Sequence, residues 1–148
     1  MREIKFRGLS KKQGWVYGSL VVTDNFVKHK PKQHTKTWIV VSAFGNGGWF
    51  NINKRVYVIP KTVGQYTGLK DKNGVEIYEG DRVKTTTGEL QTVAFLEGTF
   101  VCIPNGKEDM TMEQKEIAIS LGVDYVCKRI DSTDEIIGNI YESKNESE

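Results

Sequence analysis

The side chains best suited to chemistry crowd into one stretch. Between Lys28 and Lys36 the sequence reads KHKPKQHTK, with four lysines, both histidines of the chain and no aliphatic side chain. Metal binding by His29 and His34 is disfavoured, because the neighbouring ammonium groups repel a dication and no cysteine or carboxylate lies close in sequence. Histidine-dependent catalysis would need the same two residues, and no G-x-S-x-G nucleophile motif accompanies them. Phosphate neutralisation fits better. Lys28, Lys30, Lys32 and Lys36 supply charge, Trp49 and Phe50 supply rings for stacking on bases, and Lys54 and Arg55 follow closely. Against this stands the plainer account, in which the lysine loop is merely solvated and Trp15, Trp38 and Trp49 fill a core.

Other candidates carry less. Cys102 and Cys127 sit 25 positions apart in the apolar contexts FVCI and DYVCK, and two buried free thiols are the simplest reading. The acid pairs Glu108/Asp109 and Asp134/Glu135 are adjacent in the chain, so their carboxylates diverge on any regular element. The cluster Gly45, Gly47 and Gly48 lacks the lysine and helix of a phosphate-cradling loop, and no G-x-x-x-x-G-K-[ST] occurs. No cofactor, metal, catalytic group or small-molecule substrate is therefore expected, and the chain reads as a non-enzyme.

Charge divides along the chain. Residues 1–62 hold twelve Lys/Arg against Glu3 and Asp24, a net of +10, while residues 63–148 hold nine bases against seventeen acids, a net of −8. Such a split is compatible with a nucleic-acid partner for the first half, with one half docking on the other, or with head-to-tail self-association. At 148 residues the chain can bury roughly 68–70% of its unfolded surface without staples. No apolar run approaches the roughly 18 residues of a membrane span, and MREIKFRG has no apolar continuation of the signal-peptide kind. A cytoplasmic protein with no membrane partner is expected.

The elements that must position these residues are mostly short strands. Period-two alternation and turn residues predict strands over Glu3–Arg7, Trp15–Val22, Trp38–Phe44, Trp49–Asn53, Arg55–Ile59, Arg82–Thr85, Leu90–Leu96, Thr99–Ile103, Tyr125–Ile130 and Glu135–Tyr141. Thr111 and Gln114 form a capping box ahead of Ile117 and Leu121, which predicts one helix over Met112–Leu121, stopped by Gly122. Val63-Gly64 reads as a linker bend. The expected fold is mainly β, α+β at most: short antiparallel strands, with a small SH3-like barrel in the C-terminal half and one short helix. The organisation is a basic β segment over 1–62, a hairpin and barrel-like segment over 63–142, and a fraying tail over 143–148, all in one compact unit.

YTGLKDKNGVEIYEGD, Tyr66 to Asp81, places Gly68, Gly74 and Gly80 six residues apart. Lys72-Asn73-Gly74 predicts a hairpin with a two-residue type I′ turn. Gly80 allows a second bend, and Asp81 can accept the amides of the residues that follow it. Turn chemistry thus accounts for Gly68, Asn73, Gly74, Gly80 and Asp81 without a ligand.

That block, followed by RVK and bracketed by MREIKFRG and IIGNIYE, resembles the YopX family of phage and prophage proteins. The resemblance implies a small, mainly β protein of a phage or integrated element, acting in the bacterial cytoplasm. It brings no catalytic residues, and it is compatible with self-association. The first expectation is a non-enzymatic accessory protein, a binding or self-associating β scaffold and so a homo-oligomer candidate. The alternative is a nucleic-acid-binding module that uses the basic N-terminal half.

Overall fold

The computed structural model describes residues 3–24, 35–41, 55–96, 98–105 and 130–142. They are built almost wholly of antiparallel strands, in two compact units, Met1–Tyr66 and Thr67–Glu148. The mainly β expectation holds. The predicted helix over Met112–Leu121 and the predicted strand over Trp49–Asn53 lie outside the described residues, as does nearly all of Tyr125–Ile130.

In the first unit, β1 (Phe6–Ser10) and β2 (Gly14–Asp24) form a hairpin whose register runs from Phe6 opposite Gly18 to Ser10 opposite Gly14. β3 (Thr35–Val40) flanks β2, and the short β4 (Arg55–Tyr57) flanks β3. On the other side of β1 lies β5 (Gly64–Lys70), with Gln65 opposite Phe6 and Gly64 opposite Arg7. Val63-Gly64 is therefore not a linker bend: Gly64 opens a strand. The pairing partner that decides this, Arg7, is 57 positions away and invisible to local turn reasoning.

One face of this sheet carries the core, Val16, Ile39 and Val58, packed by Phe6, Leu20, Val41, Val56 and Val63. Gly8 is needed beneath it, since a Cβ there would come within 2.9 Å of the Val58 side chain. A 3₁₀ turn over Pro60–Thr62 then closes the unit. Thr62 Oγ1 accepts the Leu9 amide at 2.9 Å and donates to the Ile59 carbonyl at 2.7 Å, while the Ile59 amide reaches the Leu9 carbonyl.

In the second unit, the remainder of β5 and β6 (Glu76–Tyr78) make a hairpin joined through the Thr67 hydroxyl, which donates to the Ile77 carbonyl at 2.9 Å. β7 (Asp81–Lys84), β8 (Leu90–Leu96), β9 (Thr99–Pro104) and β10 (Glu135–Asn139) form a sheet ordered β10-β7-β8-β9. No pairing joins β10 to β9 among the described residues. Ile77, Val83, Val93, Cys102 and Ile130 make its core, with Phe100 and Ile136 against them. Cys102 is buried and free, as its apolar context suggests. Leu96, Val101 and Ile103 form a second apolar cluster on the opposite side of β8 and β9, so these strands are apolar on both faces.

The hairpin tip differs from the expected two-residue turn. The Asp71 amide donates to the Val75 carbonyl and the Gly74 amide to the Asp71 carbonyl, with Gly74 at φ +81°. This is a three-residue loop, a type I turn followed by a left-handed glycine. Asp71 selects it. Its Oδ1 accepts the amides of Asn73 (2.8 Å) and Val75 (2.9 Å), and its Oδ2 accepts the amide of Ile136 on β10 (3.2 Å). At the second bend Asp81 Oδ2 accepts the Tyr78 amide at 2.7 Å, an amide that precedes it rather than follows it. Gly80, at φ +84°, donates to the Val93 carbonyl and accepts from the Ile140 amide, so its backbone links β8 to the turn that follows Asn139.

Two consequences can be measured. Burial pushes the Asp71 carboxyl up, but the amides of Val75, Ile136 and Asn73 outweigh it and hold its pKa below the usual value. A pKa depressed in the folded state contributes stability above the unfolded value, about 3.9, that is lost as pH falls through the folded value. Asp71→Asn keeps one acceptor oxygen and loses the other. It should cost about 1–3 kcal/mol near neutral pH and flatten the acid limb below about pH 4, read by urea unfolding against pH.

Thr92 is 8% exposed, and its Oγ1 is buried without a hydrogen-bond partner among the described residues. Replacing the hydroxyl with a methyl removes an unpaired buried dipole. Thr92→Val should therefore leave stability unchanged or raise it by up to about 1–3 kcal/mol in the same assay.

Candidate functional site

Alternation in β2 and β3 sorts the first unit's side chains into two sets. Val16, Leu20 and Ile39 go to the core face. Trp15, Tyr17, Val21, Trp38 and, from β4, Arg55 and Tyr57 go to the other, because cross-strand partners share a face. Trp15 and Trp38 thus do not fill the core. They are half-buried on the opposite face, where the plainer reading of the sequence did not put them.

The centre of this face is a cross-strand row, Val21 on β2, Trp38 on β3 and Tyr57 on β4. Trp38 and Tyr57 meet edge to face, ring centroids 5.5 Å apart. The Arg55 guanidinium lies 5.0 Å from the Trp38 ring centroid, and the Arg7 guanidinium 4.7 Å from that of Trp15. Such pairs are attracted through the ring quadrupole, and they keep the guanidinium groups over the rings. Tyr17, at 44% exposure, and Tyr57, at 46%, leave much of their rings open to solvent. Lys36 is exposed at the start of β3, one step along from Trp38 on the same face. Arg7, opposite Tyr17 on this same face, is buried, at 6% exposure.

The arrangement can do two things. Exposed rings and guanidinium planes offer stacking surfaces, and Arg55 and Lys36 offer positive charge beside them. The first unit carries all of the +10 net charge noted above, which favours anionic over cationic partners for the unit as a whole. Among the described residues no group of three or more His, Cys, Asp or Glu could hold a metal ion. No helix among them is long and apolar enough to cross a membrane, a statement that concerns helices alone.

Of the residues singled out from sequence, Lys36 and Arg55 are on this face. Lys28, Lys30, Lys32, Trp49, Phe50 and Lys54, with His29 and His34, lie outside the described residues. Tyr17, Trp38 and Tyr57 were missed as site residues. A signal was present in GWVYGSLVV, where Trp15, Tyr17 and Val21 share one parity and Val16, Leu20 and Val22 the other. Both sets are apolar or aromatic, so alternation by itself does not say which faces inward.

A second site lies in the other unit. A cleft of about 400 Å³ is lined by Lys72, Lys84, Thr85, Thr86, Thr87, Gly88, Thr133 and Glu135. Lys72 and Glu135 form an ion pair at 2.7 Å along its wall. The hydrogen bond and charge of Lys72 hold the Glu135 carboxyl below its usual pKa.

Comparison with known proteins bears on the family and not on the site. No curated protein matches the chain. The crystal structure of protein EF1440 from Enterococcus faecalis is similar at 22% identity over 96% of each chain, with a TM-score of 0.43. The model of the YopX protein family matches residues 5–145, nearly the full length, and the chain belongs to that family.

Proposed function

We propose that this protein is a non-enzymatic accessory protein of a phage or prophage that works by binding, and that it binds single-stranded nucleic acid across the aromatic face of its first unit. The observation that supports this most is the row Val21–Trp38–Tyr57 with Arg55 stacked on it, open to solvent in a unit of net charge +10. Stacking rings need bases that have been splayed out, and a duplex keeps its bases inside. Stacking also discriminates little among bases, so affinity should depend weakly on sequence and strongly on salt. Self-association is a second reading, favoured by the complementary charges of the two units, +10 and −8.

Fluorescence anisotropy with labelled single strands tests the first reading. Affinity should fall with salt, and Arg55→Gln should reduce the slope of log K against log salt by about 0.7 for the phosphate it releases. Tyr57→Ala, at an exposed position, should weaken binding by about 1–3 kcal/mol with the fold intact. No binding at low salt would reject the reading, and tighter binding of duplex would reject the stacking geometry. Light scattering over a concentration series tests the second reading: mass should rise with concentration at low salt and return to the monomer at high salt. A monomer throughout would remove it.

A further inference from the structure

We infer that the cleft of the second unit is a binding site for a phosphoryl group, either inorganic phosphate or the phosphate of a small monoester. This inference rests on residues distinct from those of the nucleic-acid reading and does not depend on it. Three segments converge on the cleft: Lys72 from the hairpin tip, Lys84 to Gly88 from the end of β7 and the turn after it, and Thr133 and Glu135 from the entry to β10. They are held in register by backbone bonds. The Lys72 amide donates to the Asp134 carbonyl at 3.0 Å, and Glu135 pairs with Lys84 across the β10–β7 ladder.

Charge in the cleft runs against its surroundings. The second unit holds seventeen acids against nine bases, yet the cleft lining has two lysines and one glutamate. Lys72 is engaged by Glu135 at 2.7 Å, which leaves Lys84 as the cation without a hydrogen bond or ion pair of its own among the described residues. Its ammonium lies near enough to Glu135 to stabilise that carboxylate, but it is not bonded to it. Around it are hydroxyl groups. Thr85 and Thr87 share a hydrogen bond of 2.8 Å, and the Thr85 hydroxyl also accepts the Glu89 amide, so the turn is pre-shaped without a ligand. Thr86 and Thr133 add two further hydroxyls to the lining.

This donor set selects among anions. An arginine fork would grip a carboxylate or a phosphate through two bonds, and the cleft lining contains none, so an anion there is held by the ammonium and the hydroxyls. An ammonium acts as a point charge, and rotatable hydroxyls can follow the corners of a tetrahedral oxyanion, which is the chemistry of a phosphoryl group. A volume of about 400 Å³ exceeds what one phosphate fills and leaves room for a small organic group attached to it.

The test is a titration of the full-length protein by amide NMR with inorganic phosphate, at fixed ionic strength made up with chloride. Saturable shifts are expected at Lys84 to Gly88 and at Thr133, with ribose 5-phosphate as the monoester arm. Lys84→Gln, an exposed substitution, should weaken binding about tenfold, and Thr86→Val should weaken it about threefold, both with an unchanged spectrum elsewhere. Tyr57→Ala, in the other unit, should leave the titration unaltered. Tighter binding of the monoester identifies the ligand as a phosphorylated small molecule, and equal binding identifies it as free phosphate. Unsaturable shifts, an unchanged affinity in Lys84→Gln, or acetate binding as tightly as phosphate would each overturn the inference.

Discussion

Asp71 accepts three backbone amides at once, two from its own hairpin and one from β10, 65 residues further along the chain. Its carboxylate is 5% exposed, so each of those bonds is made where water competes poorly. Much of the second unit follows from it. The bonds to Asn73 and Val75 set the loop length and with it the register of the hairpin. The bond to Ile136 draws the hairpin tip to the entry of β10, where Lys72 then meets both the Asp134 carbonyl and the Glu135 carboxylate. Those are the walls of the cleft. A carboxylate that looks like part of a charged loop is thus the clip on which the shape of the cleft rests.

The first unit is governed by a different constraint, the division of apolar side chains between two faces of one sheet. Val16, Ile39 and Val58 are enough to make a core, with Gly8 allowing Val58 to approach the backbone closely. Rings on the far side are then left half open, and the guanidinium groups of Arg7 and Arg55 cover them in part. Cation–π pairs of this kind stabilise modestly, by about 0.5–1 kcal/mol at exposed positions. Their larger effect is to orient cations and rings in one layer, which is what an anionic, stacking ligand requires.

Several elements were legible in the sequence. The strand over Leu90–Leu96 is found with its predicted bounds, and those over β2, β7 and β9 differ by a few residues at their ends. The glycines at 74 and 80 take positive φ at bends, as turn chemistry suggested, whereas Gly68 takes positive φ within β5 and not in a turn. Less legible was β5, because Gly64 and Gln65 carry no strand signal of their own and become a strand through Phe6 and Arg7. The loop at Asn73-Gly74 was anticipated in place but not in type. Asn-Gly favours a two-residue turn locally, and the Asp71 carboxylate outweighs that preference with two amide bonds.

Composition and periodicity were sufficient for the β class and for the basic and acidic division, and three short motifs in order were sufficient for the resemblance to the YopX family, because each is carried by local sequence. Arg55 and Lys36 could be singled out as charge. What the tertiary structure alone decided is which aromatic residues stand beside them. Trp15 and Trp38 are as apolar as any core residue, and a strand with two apolar faces has no inside until its partners choose one. Cross-strand register made that choice, and it also placed Lys84, which directly precedes the threonine turn in the chain, opposite Glu135. Register is set by bonds between residues tens of positions apart, so neither face nor cleft is written in any short stretch of the chain.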